Sequence, residues 1–130
     1  MTTIRVLDPV DDVALVDGFY QAAPDYWIMA DGIAPDLAKA RAFFTDGPPG
    51  CDPAQSYRCG YFIAGRLSGV AELSFGYPDP TDADLGLMMF GPWAQGAGHG
   101  HRFLGHMEML AQQRNAKAMF LAVLAANPRG

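Results

Sequence analysis

The sequence predicts an α+β fold built around one sheet, on three observations. The chain has 130 residues, of which 50% are hydrophobic and 12% aromatic, and this suits one compact domain with one core. Apolar residues recur at helical spacing before residue 45 and at strand spacing from Tyr57 onward. A glycine-rich turn, Gly91–Gly100, then separates the third strand from an amphipathic helix. The predicted order is β-α-α-β-β-β-α-β within a single domain, residues 1–130.

The chain begins with a short strand and a helix. The β-prone run Thr3–Leu7 is stopped by Asp8-Pro9. Asp11 or Asp12 can cap the first helix, which Pro24 ends. The apolar face of that helix consists of Val13, Leu15, Val16, Phe19 and Tyr20.

A second helix is predicted after a connection. Asp25–Met29 is interpreted as that connection, although it contains large apolar and aromatic residues. Pro35 fits the first turn of the second helix, which runs to about Phe44. Thr45–Pro53 is rich in proline and glycine and is predicted to be a loop.

Three strands follow. Arg58–Ala64 and Leu67–Phe75 are joined by a tight turn at Gly65-Arg66. Tyr77–Asp82, with two prolines and two aspartates, is a longer turn. Leu85–Phe90 is apolar at nearly every position, which is expected for a central strand buried on both faces.

The C-terminal part contains a helix and a last strand. Helical spacing predicts a helix from about Gly98 to Arg114, which Asn115-Ala116 ends. Met119–Leu124 is predicted to be a fourth buried strand. The sequence ends at Gly130, soon after this strand, whereas a buried strand normally has covering elements on both sides.

Charge is unevenly distributed along the chain. The formal net charge of −5 argues against nonspecific binding of nucleic acid. Residues 1–90 carry 13 acidic and five basic side chains, whereas residues 91–130 carry one acidic and four basic ones. The C-terminal part can therefore attract an anionic ligand and the acidic part a cationic one. An acidic, loop-rich half that keeps the protein soluble explains the same pattern.

Membrane and metal-binding proteins fit the sequence poorly. The longest apolar run, Ala118–Ala126, has nine residues and is too short to span a bilayer. The N-terminus lacks the pattern of a signal peptide, so we expect a soluble cytoplasmic protein. The two cysteines and three histidines lack the spacing of metal ligands, and no metal site is expected.

The glycine-rich turn is the strongest functional signal. Gly96, Gly98 and Gly100 remove side chains where backbone N–H groups must close on a bulky anion. The following helix directs its unpaired N–H groups and its positive dipole end toward the same place, which suits a diphosphate. The spacing fits neither a Walker loop nor a dinucleotide-binding fingerprint. A turn that needs glycine only for tight packing is the plainer alternative.

The segment Gln95–Gly100 resembles the Gln/Arg-x-x-Gly-x-Gly/Ala motif of the GNAT acetyltransferases and matches its three fixed positions. Ala83–Phe90 looks like the fourth strand of that family, and Pro92 falls where many members carry a proline. The resemblance covers essentially the whole chain and implies a three-layer fold, with a central mixed, mostly antiparallel sheet flanked by helices. Further segments similar to bacterial members are Val70–Leu73, Gly76–Pro80 and Val123–Pro128.

The resemblance implies that acetyl-CoA is the cosubstrate. Main-chain groups at the splayed end of the fourth strand would pair with its pantetheine arm, and Asn127 matches an asparagine that often contacts that arm. The strand residues concerned are Met88, Met89 and Phe90. The pyrophosphate would be bound by the backbone N–H groups of Gln95, Gly96, Ala97, Gly98, His99 and Gly100.

The reaction implied by the resemblance is direct attack of an amine on the thioester. The amine must lose a proton, so a carboxylate acting directly or through water is useful. Asp84 lies 11 residues before Gln95, the spacing of the general-base glutamate in histone-type members, and Glu72 is the second candidate. The plainer interpretations are a solvated residue at a strand start for Asp84 and an outward-facing strand position for Glu72.

The sequence departs from the family pattern after Asn127. Members normally continue with a helix that carries a tyrosine, which protonates the leaving thiolate, and with two more strands. We therefore expect a C-terminally truncated GNAT-like fold, or a sheet that is completed by pairing with a second copy in a homodimer.

Three functions are compatible with these features. The first is an N-acetyltransferase acting on a primary amine of a small molecule, peptide or protein; the acidic half favours a cationic acceptor, and Tyr26, Trp27 and Tyr77 are candidates to line its pocket. The second is a non-catalytic CoA-binding module or sensor that dimerises to complete its sheet. The third is a structural dimer whose glycine turn binds no ligand. Arg102 fits either a phosphate contact or an ordinary surface position.

Overall fold

A computed structural model describes residues 1–121 and contains one five-stranded sheet in the spatial order β1-β2-β3-β4-β5. Neighbouring strands are antiparallel except β4 and β5, which are parallel. The predicted α+β class with a mixed, mostly antiparallel sheet is confirmed. The strands are β1 Thr2–Val6, β2 Tyr57–Ile63, β3 Arg66–Phe75, β4 Ala83–Phe90 and β5 Met119–Leu121. The rest of the predicted last strand and Asn127 lie outside the described residues.

Three α-helices precede β2 where the sequence predicted two. The helices are α1 Val13–Ala22, α2 Asp25–Asp31, α3 Leu37–Ala42 and, after β4, α4 His99–Gln113. The prediction that Asp25–Met29 is a connection is wrong, because Pro24 has a helical backbone conformation (φ −74°, ψ −20°) and opens α2. The second predicted helix is shorter than expected, since Asp36 caps α3 by accepting the Lys39 N–H at 3.0 Å.

Asp12 occupies the predicted cap position of α1 without capping it through its side chain. Its carboxylate accepts instead from the Arg5 guanidinium, at 2.9 and 3.1 Å, and from the Asp8 N–H at 2.6 Å. The hydrogen bond from Arg5 lowers the pKa of Asp12. Asp12 therefore joins the end of β1 to the start of α1.

The sheet separates two apolar cores, which gives the three layers. One face of the sheet packs against α1 and α3 through Phe62, Leu67, Val70 and Met89. The other face packs against α4 through Cys59, Tyr61, Ala71, Leu73, Leu85 and Phe90. Among residues 1–121, no helix is long and apolar enough to cross a membrane.

The prediction that the third strand is buried on both faces is wrong for the middle of β4. Gly86 is exposed, and Leu87 and Met88 are only half-buried. The pairing with β3 explains this, because Glu72 opposes Leu87 whereas Leu73 opposes Leu85. Gly86 is thus the extra residue of a β-bulge, which bends β4 and re-aims its side chains.

Candidate functional site

The glycine-rich turn leads from β4 into α4 through a short 3₁₀ turn, Pro92–Ala94. Gly96 and Gly98 have φ angles of +84° and +78°, in the left-handed region that favours glycine. A Cβ atom at either position would have no other atom within 4 Å. Tight packing therefore does not explain these glycines: they shape the backbone and leave open space beside it.

The start of α4 is accessible from that space. Gly98 is the N-cap residue, and Gln95–Gly98 are all exposed. The first backbone N–H groups of a helix have no acceptor within the helix, and the helix dipole adds partial positive charge there. Since α4 has 15 residues, its N-terminus has the unpaired N–H groups and the dipole on which the predicted anion site depends.

A buried tyrosine anchors the first turn of α4. The Tyr61 hydroxyl lies 2.7 Å from His99 Nδ1 and accepts a hydrogen bond from Arg102 Nη1 at 3.0 Å. Tyr61 is fully buried in β2, and His99 is half-buried rather than free on the helix surface. Sequence reasoning missed Tyr61, although a tyrosine inside an apolar strand normally needs a polar partner.

Trp93, near the start of the glycine-rich turn, is part of the packing around the sheet. Its Nε1–H donates to Ser68 Oγ at 2.9 Å, and the Arg66 guanidinium lies 3.6 Å from the centre of its ring. A Cβ atom on Gly91 would clash with the same ring. These contacts fix Trp93 beneath the turn.

Beyond the bulge, β4 has a free backbone edge among the described residues. Met88, Met89 and Phe90 pair with β3 on one side. On the other side, the described part of β5 pairs only with Ala83–Leu85. An extended ligand can hydrogen-bond to such an edge as an added strand does.

The two candidate catalytic carboxylates face one point at the bulge. A Cβ atom built on Gly86 would lie 2.9 Å from Glu72 Oε2 and 3.1 Å from Asp84 Oδ2. Glu72 is only 4% exposed and Asp84 is half-buried. The plainer interpretation of Glu72 as an outward-facing position is therefore wrong, and the bulge brings the two carboxylates together.

Burial sets the protonation of both groups. It raises the pKa of Glu72, as the Asp84 charge also does, against the opposing effects of a 2.7 Å hydrogen bond from Ser74 Oγ, of the Arg58 charge and of the Gly86 backbone N–H. Burial also raises the pKa of Asp84. Both carboxyl groups thus hold a proton more readily than exposed carboxyl groups do, a property of general bases that work near neutral pH.

Arg58, which sequence reasoning missed, lies directly beside Glu72. It is 5% exposed, and its Nη1 is 3.9 Å from Glu72 Oε1. The guanidinium also donates to the carbonyl oxygens of Phe43 and Asp46 and to Ser56 Oγ. A charged residue in the otherwise apolar segment from Tyr57 to Ile63 was the available signal.

A cavity of about 550 Å³ opens above these groups. Its size is typical of a small-molecule site. The three aromatic residues predicted to line an acceptor pocket, Tyr26, Trp27 and Tyr77, all line it. Its other aromatic and charged lining residues are Tyr20, Phe43, Lys39, Asp46, Arg58, Glu72 and Asp84.

The cavity also collects polar atoms that lack hydrogen-bond partners. Four buried side-chain atoms in the described part of the chain have none: Tyr20 Oη, Trp27 Nε1, Arg58 Nη2 and Glu72 Oε2. All four residues line this cavity. Unpaired buried polar atoms are rare because each costs about 1–3 kcal/mol, so four of them in the residues that line one cavity mark it as a candidate site for a polar molecule.

No comparable cluster suggests a metal ion. Within residues 1–121, no group of three or more His, Cys, Asp or Glu side chains is arranged to hold one.

Several solved acetyltransferases share this fold. An acetyltransferase from Thermus thermophilus is 20% identical (TM-score 0.68) over 84% of this chain and 68% of its own. The ribosomal-protein-S18-alanine N-acetyltransferase from Escherichia coli is 18% identical (TM-score 0.69) over 98% and 70%. A predicted acetyltransferase from Clostridium acetobutylicum, solved with acetyl-CoA, is 16% identical (TM-score 0.68) over 98% and 84%. At these identities the likeness establishes the fold alone.

The sequence itself establishes the family. No curated protein matches the chain. The sequence model of the acetyltransferase (GNAT) family, however, matches residues 17–130, which include the glycine-rich turn, both carboxylates and all the residues that line the cavity. The protein therefore belongs to the GNAT family of acetyltransferases.

Proposed function

We propose that the protein transfers an acetyl group from acetyl-CoA to a primary amine. The observation that carries this proposal is the pair of carboxylates, Glu72 and Asp84, that face one point at the β4 bulge, on the wall of the cavity. Membership of the GNAT family places the protein in the acyltransferase class.

Acetyl-CoA supplies the thioester whose acyl group is transferred. In our proposal, the backbone N–H groups of Gln95–Gly100 bind its diphosphate. The open space beside Gly96 and Gly98 supports this, because nothing in the described structure fills it. The edge of β4 from Met88 to Phe90, which has no partner strand among residues 1–121, binds the pantetheine arm. The role of Asn127 remains a prediction, since it lies outside the described residues.

Glu72 is the better placed general base. Its Oε2 accepts no fully formed hydrogen bond in the described structure, although the Gly86 N–H lies close to the carboxylate, and it can take up a proton. Asp84 is more exposed and faces the same point, so it can pass that proton to solvent. The amine nitrogen attacks the carbonyl carbon, the N–C bond forms and the C–S bond breaks. The nitrogen's proton goes to the carboxylate, and CoA leaves as the thiolate, which water protonates.

Release of free thiol from acetyl-CoA with a panel of amines tests the proposal. We expect Glu72→Gln and Asp84→Asn each to lower kcat, Glu72→Gln by about 10²- to 10⁴-fold, the usual contribution of a general base. Both variants should retain the wild-type Kd for CoA. Asp79→Asn is the matched control, because Asp79 is exposed and outside the cavity.

Two other outcomes would contradict an acetyltransferase. Tight CoA binding without thiol release on any amine favours a non-catalytic CoA-binding module. Absence of any rise in Tm with CoA contradicts the cofactor assignment itself, since a ligand that binds the native state raises Tm.

A further inference from the structure

The unpaired atoms of the cavity restrict what can fill it. Arg58 Nη2 and Trp27 Nε1 can only donate hydrogen bonds, whereas ionised Glu72 Oε2 can only accept one. The N–H groups of an amine can satisfy Glu72. A plain alkylamine has no acceptor atom to offer once its nitrogen is directed there, so it would leave both donors buried and unpaired. An acceptor that carries oxygen atoms as well as the amine would satisfy these donors, so we expect such an acceptor to be preferred.

The charge of Arg58 favours an anionic oxygen on the acceptor over a neutral one. Its other contacts are neutral carbonyl and hydroxyl oxygens, and its distance of 3.9 Å to Glu72 is too long for a hydrogen bond. Once Glu72 accepts the proton of the amine, Arg58 loses its nearest negative charge. A buried charge without a partner is costly, and an anionic oxygen on the acceptor would restore the balance.

Lys39, the other basic residue among the cavity-lining residues, is already engaged. Its Nζ lies 2.9 Å from Asp31 Oδ2 and 4.0 Å from the centre of the Trp27 ring. Arg58 Nη2 is thus the cationic donor that remains for a ligand within the described cavity lining.

We propose that the acceptor is a small amine that also carries a carboxylate, in the manner of a free amino acid. This inference rests on the proposed function. The amine lies toward Glu72 and Asp84, and the carboxylate toward Arg58 Nη2 and Trp27 Nε1. Arg58 and Glu72 are adjacent, so the two groups of the acceptor must also be close together, as they are in a 2-amino acid. The aromatic wall receives the remainder of the molecule.

Two sets of amines that share a side chain and differ in whether they carry a free carboxylate provide the test. The aromatic set consists of tyrosine, tyrosinamide, tyramine and a tripeptide with N-terminal tyrosine. The aliphatic set consists of leucine and the corresponding amide, amine and tripeptide. We expect kcat/KM for the free amino acid to exceed that for the amide and the decarboxylated amine by about 10- to 100-fold, as for a buried charged hydrogen bond. Equal or better turnover of the amide, amine or tripeptide would overturn the inference.

Substitutions connect the preference to the named residues. Arg58→Met should remove most of the preference and Arg58→Lys should retain part of it, because Lys keeps the charge but not the fork of donors. Arg41→Met, on the exposed surface outside the cavity, should leave the preference unchanged. Arg58 also holds the carbonyl groups of Phe43 and Asp46, so its loss can unfold the protein. Trp27→Phe is therefore the second test: it keeps the ring, deletes the N–H donor and should reduce the preference several-fold.

A binding measurement separates failure of this inference from failure of the proposed function. With saturating CoA, tyrosine should raise Tm more than tyrosinamide does. If amines are acetylated without a carboxylate preference, the inference alone fails. If CoA binds but no amine is acetylated, the proposed function fails, and the Tm comparison still decides the ligand class: equal shifts for the two compounds overturn the inference.

Discussion

Replacing Gly86 with alanine tests the central geometric claim, that two carboxylates act at one point of the β4 bulge. The added methyl group would lie 2.9 Å from Glu72 Oε2 and 3.1 Å from Asp84 Oδ2. Favourable contacts between heavy atoms need about 3.5 Å. Each carboxylate must therefore move by roughly half an ångström, and the methyl group also occupies the place where the amine approaches them.

The cost to stability should be small. Overpacking typically costs about 1–3 kcal/mol, and the lower end applies because the atoms in conflict are the ends of side chains. Alanine also recovers about 0.5–1 kcal/mol of the backbone entropy that glycine loses in a strand. The φ angle of Gly86 is not in the left-handed region, so alanine introduces no backbone strain. We expect the free energy of unfolding to change by about 1 kcal/mol or less.

The cost to catalysis should be much larger. A misplacement of 1 Å in a reacting group can lower the rate by about 10²-fold, so we expect kcat/KM to fall by about 10- to 100-fold. Thiol release gives kcat/KM, urea denaturation gives the free energy of unfolding, and calorimetry gives the Kd for CoA, which should not change.

Gly105→Ala is the matched control for this experiment. Gly105 lies within α4, and a Cβ atom there would have no other atom within 4 Å. The control should be more stable by about 0.5–1 kcal/mol, with wild-type activity. A folded Gly86→Ala variant with wild-type kcat/KM would refute the assignment of both carboxylates to one reaction centre.

Four further predictions concern the two carboxylates and the glycine-rich turn. Because burial raises the pKa of Glu72 and Asp84, kcat/KM should rise with pH through an apparent pKa above the ordinary carboxyl range, and a profile that is flat there would argue against a carboxylate base. Because these pKa values are raised, the native state binds more protons than the unfolded state. The free energy of unfolding should therefore fall as the pH rises from the ordinary carboxyl pKa to the raised pKa. Denaturation measured across this pH range should show a weaker slope for Glu72→Gln than for the wild type. Gly98→Val should raise the Kd for CoA at least tenfold, since a β-branched residue resists the left-handed conformation, with Gly105→Ala again as the control; unchanged affinity would contradict the diphosphate assignment. Tyr61→Phe should lower the free energy of unfolding by about 1 kcal/mol, because His99 and Arg102 lose their shared partner, and an unchanged Tm would show that this hydrogen-bonded group is not stabilising.

Local signals account for the parts of the fold that sequence reasoning predicted well. The strands from Tyr57 to Phe90 and the helix after the glycine-rich turn were placed to within a few residues, because their apolar period is local to each segment. Gly96 and Gly98 were likewise recognisable, since a positive φ angle restricts the residue type at that position alone. The miss at α2 is also local: Pro24 was interpreted only as the end of α1, whereas proline is equally suited to begin a helix.

The candidate catalytic centre depends instead on contacts between distant segments. Glu72 and Asp84 were identifiable as residue types, but their common orientation follows from the bulge at Gly86, which exists only in the pairing of β3 with β4. Arg58 is brought beside Glu72 because the two residues oppose each other across β2 and β3. Much of the cavity wall comes from α1, α2, α3 and the loop after α3, which precede these strands in the sequence. The sequence by itself determines the residue types and the local backbone preferences. Burial, pKa shifts and unpaired hydrogen-bonding groups arise only in the tertiary structure, because strand register and helix packing bring side chains from distant segments together and remove them from water.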